Sequence, residues 1–210
     1  MLIGSNRKPE SKVALTVSIF DHCVNDATCF KYLGILISSD FTWTNHVEYM
    51  AGKINQRLGL LRWIMHLVLF RACILFYKSL VMPLFEYADL LWGDKRNVSL
   101  MSSLQVLQNK AAKIILHRLL YSSASHALVT LKWIPLEKRR FQRRCVHTCI
   151  YKCLNELITH ILTLETQQHQ HNYNTRNKVN LRLPCVKRNW GKQRTAYHTV
   201  NDFNSLSEMI

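Results

Sequence analysis

The sequence predicts a mainly α-helical fold, with a short N-terminal β segment ahead of a helical bundle and a basic, loosely structured C-terminal tail. Three observations carry that prediction. Apolar residues recur at spacings of three and four through the middle of the chain, the period of a helix. Two runs rich in β-branched and aromatic residues precede them. Beyond Leu164 the texture turns polar, with frequent Asn and Arg. The 210 residues therefore divide into 1–43, 44–164 and 165–210.

Val13–Phe20 and Phe30–Ile37 read as strands, with Asn25-Asp26 as the turn signal between them and Ser38-Ser39-Asp40 closing the second. Thr44 is the expected N-cap of a helix from about Asn45 to His66. Its apolar face runs Val47, Met50, Ile54, Leu58, Leu61 and Met65. A second helix fits Phe70–Val81 and should stop at Pro83, which lacks a backbone donor. A third fits Val98–Leu119, with Met101, Leu104, Leu107, Ala111, Ile114 and Ile115 on one side. A short helix covers Ser123–Leu131. Pro135 suits the first turn of a long helix reaching about Leu162, and Glu137 in that turn complements the helix dipole. Gln167-Gln168-His169-Gln170-His171-Asn172 reads as a linker, and Phe203-Asn204-Ser205-Leu206 as an anchor for the tail.

Lys and Arg number 28 against 13 acidic residues, a formal charge of +15. Such a surplus favours a polyanionic partner, nucleic acid before an acidic membrane surface. Seven cysteines without paired spacing, behind a start that does not read as a signal peptide, point to a reduced intracellular chain, cytoplasmic or nuclear, rather than a disulfide scaffold. The apolar stretch Leu58–Trp92 is broken by Arg62, His66, Arg71, Lys78, Glu86 and Asp89, so no membrane span is expected.

Tyr87-Ala88-Asp89-Leu90 resembles the Tyr-x-Asp-Asp turn of reverse transcriptases, in which two adjacent carboxylates hold a pair of metal ions. Leu90 cannot ligate a cation, and Asp94 does not repair the spacing, so Asp89 is read as structural. Cys145, Cys149 and Cys153, with His147 and His160 nearby, fall on one helical stripe. A zinc knuckle needs a tight loop with four converging ligands, so these are read as small core residues. Catalytic residues, metal ligands and cofactors are all expected to be absent: there is no Gly-x-Gly loop and no arguable Ser-His-Asp group.

The cations do form a pattern. Lys138, Arg139, Arg140, Arg143 and Arg144 lie on one predicted helix with Lys152. Arg139 with Arg143, and Arg140 with Arg144, repel at i, i+4, and a polyanion would relieve that repulsion. The tail adds Arg176, Lys178, Arg182, Lys187, Arg188, Lys192 and Arg194, interleaved with Tyr173, Trp190 and Tyr197. That mixture suits phosphate neutralisation with base stacking.

Several segments together resemble a family. Phe30-Lys31-Tyr32-Leu33-Gly34-Ile35 followed by Phe41-Thr42-Trp43-Thr44-Asn45-His46-Val47 is similar to the end of the polymerase domain in LINE-type (non-LTR, jockey-like) retrotransposon reverse transcriptases. Met1-Leu2-Ile3-Gly4-Ser5 resembles the stretch just before it. Tyr77–Pro83, Glu86–Gly93, Leu107–Ile115, Trp133–Arg140, His171–Arg176 and Phe203–Leu206 resemble the region that follows, in the same order over nearly the whole chain. Phe203 stands where the family usually has Trp.

The resemblance implies that 1–43 is the end of a polymerase palm, 44–164 a thumb-like helical region and 165–210 a C-terminal extension. Tyr32, Leu33 and Gly34 then sit where such polymerases hold the primer end. The catalytic palm would lie N-terminal to Met1, so no catalysis is expected of this chain alone. The implied function is binding of RNA or an RNA/DNA template–primer, without a membrane. A palm-containing polymerase segment is a further implied partner. The alternatives are a non-catalytic protein-interaction module and a non-functional retrotransposon remnant.

Overall fold

The computed structural model describes residues 17–19, 22–24, 27–93, 97–119, 121–147, 181–186, 191–192 and 195–207. Within them the chain is mainly helical, with short antiparallel β pairs at the N-terminal end. It divides into two compact units, 1–56 and 57–210.

In the first unit, β1 (Val17–Ile19) pairs with β2 (His22–Val24), and β3 (Cys29–Tyr32) with β4 (Ile35–Ser38). The expected single strand over Phe30–Ile37 is thus a hairpin. Its register sets Tyr32 opposite Ile35, so Leu33-Gly34 is a two-residue loop. Leu33 has φ 46° and Gly34 φ 82°. Positive φ at both positions is the turn whose twist matches a hairpin. Glycine makes it accessible, and a run scored only for β propensity conceals it. The expected turn at Asn25-Asp26 lies outside the described residues, as does Val13–Thr16.

Asp40 organises the entry to the first long helix. Its Oδ1 accepts from the Thr42 amide at 3.0 Å and the Thr42 hydroxyl at 2.9 Å. The amide bond holds the carboxyl below its ordinary range. Helix α1 spans Thr44–Ile64, so the expected N-cap Thr44 is already helical. Val47, Met50, Ile54, Leu58 and Leu61 are all buried, as their spacing predicts.

In the second unit, α2 (Phe70–Phe76) continues through a π-helical stretch, Tyr77–Val81, into α3 (Met82–Glu86). Pro83 does not end the helix as expected. The Met82 amide reaches back five residues to the Tyr77 carbonyl. The widened turn leaves Pro83 at the start of α3, where its missing N–H has no intrahelical role. Ala88, at φ 51°, reverses the chain into α4 (Asp89–Trp92). Helix α5 (Val98–Ile115) starts at Asn97, whose side chain accepts from the Leu100 amide. Helix α6 (Ala124–Thr130) is capped by Ser123 through the His126 amide.

Helix α7 covers Leu136–His147, and the remainder of the long helix expected to Leu162 lies outside the described residues. Helix α8 spans Thr195–Ser207 and packs on α7. The expectation of a loosely structured tail therefore fails for these residues.

Tyr77, Val81, Phe85, Trp92, Leu104 and Ile115 form the buried body of this unit. Tyr77 stacks on Trp133 with ring centroids 3.9 Å apart. Desolvation pushes the Tyr77 hydroxyl well above its ordinary pKa. Gln108, fully buried, donates to the Ile134 carbonyl at 3.1 Å and accepts from Gln105 at 2.8 Å. A smaller cluster joins Leu181 and Val200 with half-buried Phe203. Asn204 clasps both backbone groups of Leu181, each at 2.9 Å. Among the described residues no helix is long and apolar enough to cross a membrane.

Candidate functional site

Helix α7 is the expected phosphate face, and its arginines meet carboxylates of this chain. Four residues of one helical stripe, Arg139, Arg140, Arg143 and Arg144, repel one another if left alone. The chain supplies the counter-charge itself. The turn at Ala88 places Glu86 and Asp89 on either side of a chain reversal. The Trp92 indole pins that turn by donating to the Tyr87 carbonyl at 2.8 Å. Gly93 closes it: a Cβ there would lie 2.4 Å from the Asp89 carbonyl oxygen, closer than any side chain tolerates.

Against this turn, the Arg139 Nε donates to Glu86. Arg143 reaches Glu86 Oε2 at 3.2 Å and Asp89 Oδ1 at 3.7 Å. On the opposite side Arg144 Nε donates to Asp202 Oδ2 of α8 at 2.6 Å, with 4% and 2% of the two side chains exposed. The repulsion that predicted a polyanion is relieved by three carboxylates of this chain. Arg139, Arg143 and Arg144 thus already have intramolecular partners and Arg140 is buried, so the i, i+4 repulsion does not by itself call for a polyanion. Asp89 of the Tyr-Ala-Asp-Leu sequence is one of those carboxylates, and desolvation raises its pKa against the opposing pull of Arg143 and Arg140.

Arg140 differs from its neighbours. Only 5% of it is exposed. It lies over the Trp92 ring at 5.1 Å, and its Nη1 donates to the Met101 sulfur at 3.1 Å. Its Nε and Nη2 have no hydrogen-bond partner. Desolvation lowers its pKa to about 10.

Lys138 on the same helix is exposed, as is Arg182, while Lys192 is half-buried. Arg176, Lys178, Lys187, Arg188 and Arg194 lie outside the described residues, as do Lys152, Cys149, Cys153 and His160. Tyr32 and Leu33 are exposed at the hairpin tip with Gly34. Among the described residues no group of three or more His, Cys, Asp or Glu is placed to hold a metal ion.

The structure also leaves exposed a set of cations that the sequence reading did not single out. Between Glu48 and Glu86 there is no acidic residue, while Lys53, Arg57, Arg62, Arg71 and Lys78 all fall in that interval. Within the second unit Arg62, Arg71 and Lys78 are exposed. Trp63, 83% exposed, follows Arg62, and exposed Phe70 precedes Arg71. Leu67 and Leu69 stand out between them. The missing acid was the available signal, because a count of cations alone does not show where they go unopposed.

Comparison of the chain with protein-family models, with curated proteins and with solved structures returns no match.

Proposed function

We propose that this chain is the thumb-like and post-thumb part of a non-LTR retrotransposon reverse transcriptase, and that it binds RNA or an RNA/DNA template–primer without catalysing synthesis. Charge balance supports this reading most directly. Pairing Arg139, Arg143 and Arg144 with Glu86, Asp89 and Asp202 removes equal numbers of each sign. The surplus of fifteen positive charges is untouched, and it falls on the rest of the chain.

In the second unit that surplus includes Arg62, Arg71 and Lys78, beside Trp63 and Phe70. Cations that neutralise phosphates, with aromatic rings on which bases stack, bind single strands with little sequence preference. Lys138 and the tail cations Arg176, Lys178, Arg182, Lys187, Arg188, Lys192 and Arg194 would add phosphate contacts. Tyr32, Leu33 and Gly34, at an exposed hairpin tip, would meet the primer end.

Two assays on one preparation test the proposal: binding of a labelled single-stranded RNA, and primer extension. RNA binding without extension is the expected pair of results. Extension by this chain alone would overturn it.

The exposed Leu67–Phe70 corner supports a second reading. Contiguous exposed apolar side chains of this kind mark interaction surfaces. A palm-containing polymerase segment that covered the corner would make the chain one part of an assembled enzyme. Extension gained only on adding such a segment would favour that reading.

A further inference from the structure

Helix α1 carries Tyr49 and Lys53 four residues apart, the spacing that sets two side chains on one face. The Lys53 ammonium lies over the Tyr49 ring, 4.4 Å from its centroid. Lys31 reaches the same ring from β3. Its Nζ lies 5.0 Å from the centroid and donates to the Tyr49 hydroxyl oxygen at 3.0 Å. Lys31 is exposed, while Tyr49 and Lys53 are half-buried, so the cluster is open to solvent.

Two ammoniums gathered on one neutral ring repel each other, and the ring's attraction offsets only part of that repulsion at a solvated position. On α7 carboxylates of the chain supply the counter-charge. Here, among the described residues, neither lysine meets a carboxylate, Glu48 beside Tyr49 included. Donors are left over as well. Each ammonium carries three protons. Tyr49 accepts from Lys31, and its own proton goes to no described residue. The hydrogen bond from Lys31, with a second from Lys53, holds the hydroxyl below its ordinary pKa. A phenol polarised in this way is a stronger donor.

We propose that Lys31, Tyr49 and Lys53 form a binding site for a dianionic phosphate group. Its oxygens take hydrogen bonds from both ammoniums and from the Tyr49 hydroxyl. Charge decides the class. A phosphate monoester carries about −1.5 to −2 near pH 7, which two ammoniums match, whereas a phosphodiester carries a single charge. The terminal phosphate of a nucleic-acid strand and the free phosphate ion both present such a group. None of the three residues belongs to the set assigned to RNA above, so the site stands or falls separately from that reading.

The test is calorimetric titration of the full chain at neutral pH with three probes: a uridine dinucleotide, the same dinucleotide bearing a 5′-terminal phosphate, and inorganic phosphate. The terminal phosphate is expected to tighten binding ten-fold or more over the plain dinucleotide. With that preference in hand, inorganic phosphate binding as tightly as the phosphorylated dinucleotide assigns the site to the free ion, and weaker binding assigns it to a strand end. K31Q and K53Q should each reduce the preference to under three-fold. Either one carries the test should the other fail to fold. Y49F keeps the ring but removes the hydroxyl donor, and should reduce the preference less than either. Equal binding of the two dinucleotides, no binding of either phosphate probe, or a preference that survives in both K31Q and K53Q would overturn the proposal.

Discussion

Replacing Asp202 with alanine should be among the most damaging single changes in the second unit. Arg144 and Asp202 are both almost fully buried, and the 2.6 Å bond between them joins α7 to α8 across 58 residues of chain. Removing the carboxylate takes this counter-charge from a guanidinium whose side chain is only 4% exposed. Breaking one side of a buried pair costs about 3–5 kcal/mol. For a chain of this length each kcal/mol moves the melting temperature by about 2–4 °C, so the drop is roughly 6–20 °C. Urea denaturation measures the free energy directly.

A double-mutant cycle separates the pair from its surroundings. R144M with D202L replaces the ion pair by apolar side chains and should recover most of the loss, because desolvation of both charges disappears with them. A loss of under ~1 kcal/mol for D202A would refute the reasoning, since exposed ion pairs contribute no more than that. A double variant as unstable as the single would refute it too.

Three further outcomes are expected. His46 is buried, its Nδ1 accepts from the Leu36 amide at 3.3 Å, and desolvation lowers its pKa from 6.5. The unfolded chain therefore binds the proton more readily than the folded one, and stability held above pH 6.5 is lost as pH falls below it. Denaturation midpoints of the native chain and H46Q across pH 5–8 should diverge on the acid side, and parallel curves would contradict the assignment. G93A should destabilise by about 1–3 kcal/mol through overpacking against the Asp89 carbonyl, read by thermal melting. Q108L leaves the Ile134 carbonyl without its donor and should cost about 1–3 kcal/mol in the same measurement.

Helix periodicity made most of the α1 face legible: Val47, Met50, Ile54, Leu58 and Leu61 are buried, while Met65, also expected on it, lies beyond the helix end and is half-buried. Caps and breakers were less reliable. Ser123, expected as the first residue of its helix, caps it instead, and Pro83 is carried through the helix by a π turn. That relief depends on the backbone five residues away, so no local residue count reveals it. The hairpin inside Phe30–Ile37 was hidden for a related reason. Only Gly34 departs from strand composition, and Leu33 at positive φ carries no sequence mark.

The electrostatics of α7 were only partly legible in the sequence. Like charges at i, i+4 do require a partner, and the sequence identified that requirement correctly. Whether the partner is a ligand or a distant carboxylate depends on tertiary placement. Glu86 lies 53 residues from Arg139, and Asp202 lies 58 from Arg144. Asp202 sits beside Phe203, in the segment singled out as the tail anchor. The aromatic residue drew the attention that the acid merited.

The central claim is that RNA binds the unopposed cations and not the α7 arginines. The measurement that tests it most directly is RNA affinity against salt concentration for the native chain, R143Q and the triple variant R62Q/R71Q/K78Q. Each phosphate contact on a single strand contributes about −0.7 to the slope of log affinity against log salt, so the triple variant should flatten the slope by roughly 2 units. R143Q should leave the slope unchanged while lowering thermal stability, because its charge is spent on Glu86 and Asp89. An affinity independent of salt, or a slope that responds to R143Q and not to the triple variant, would contradict the account.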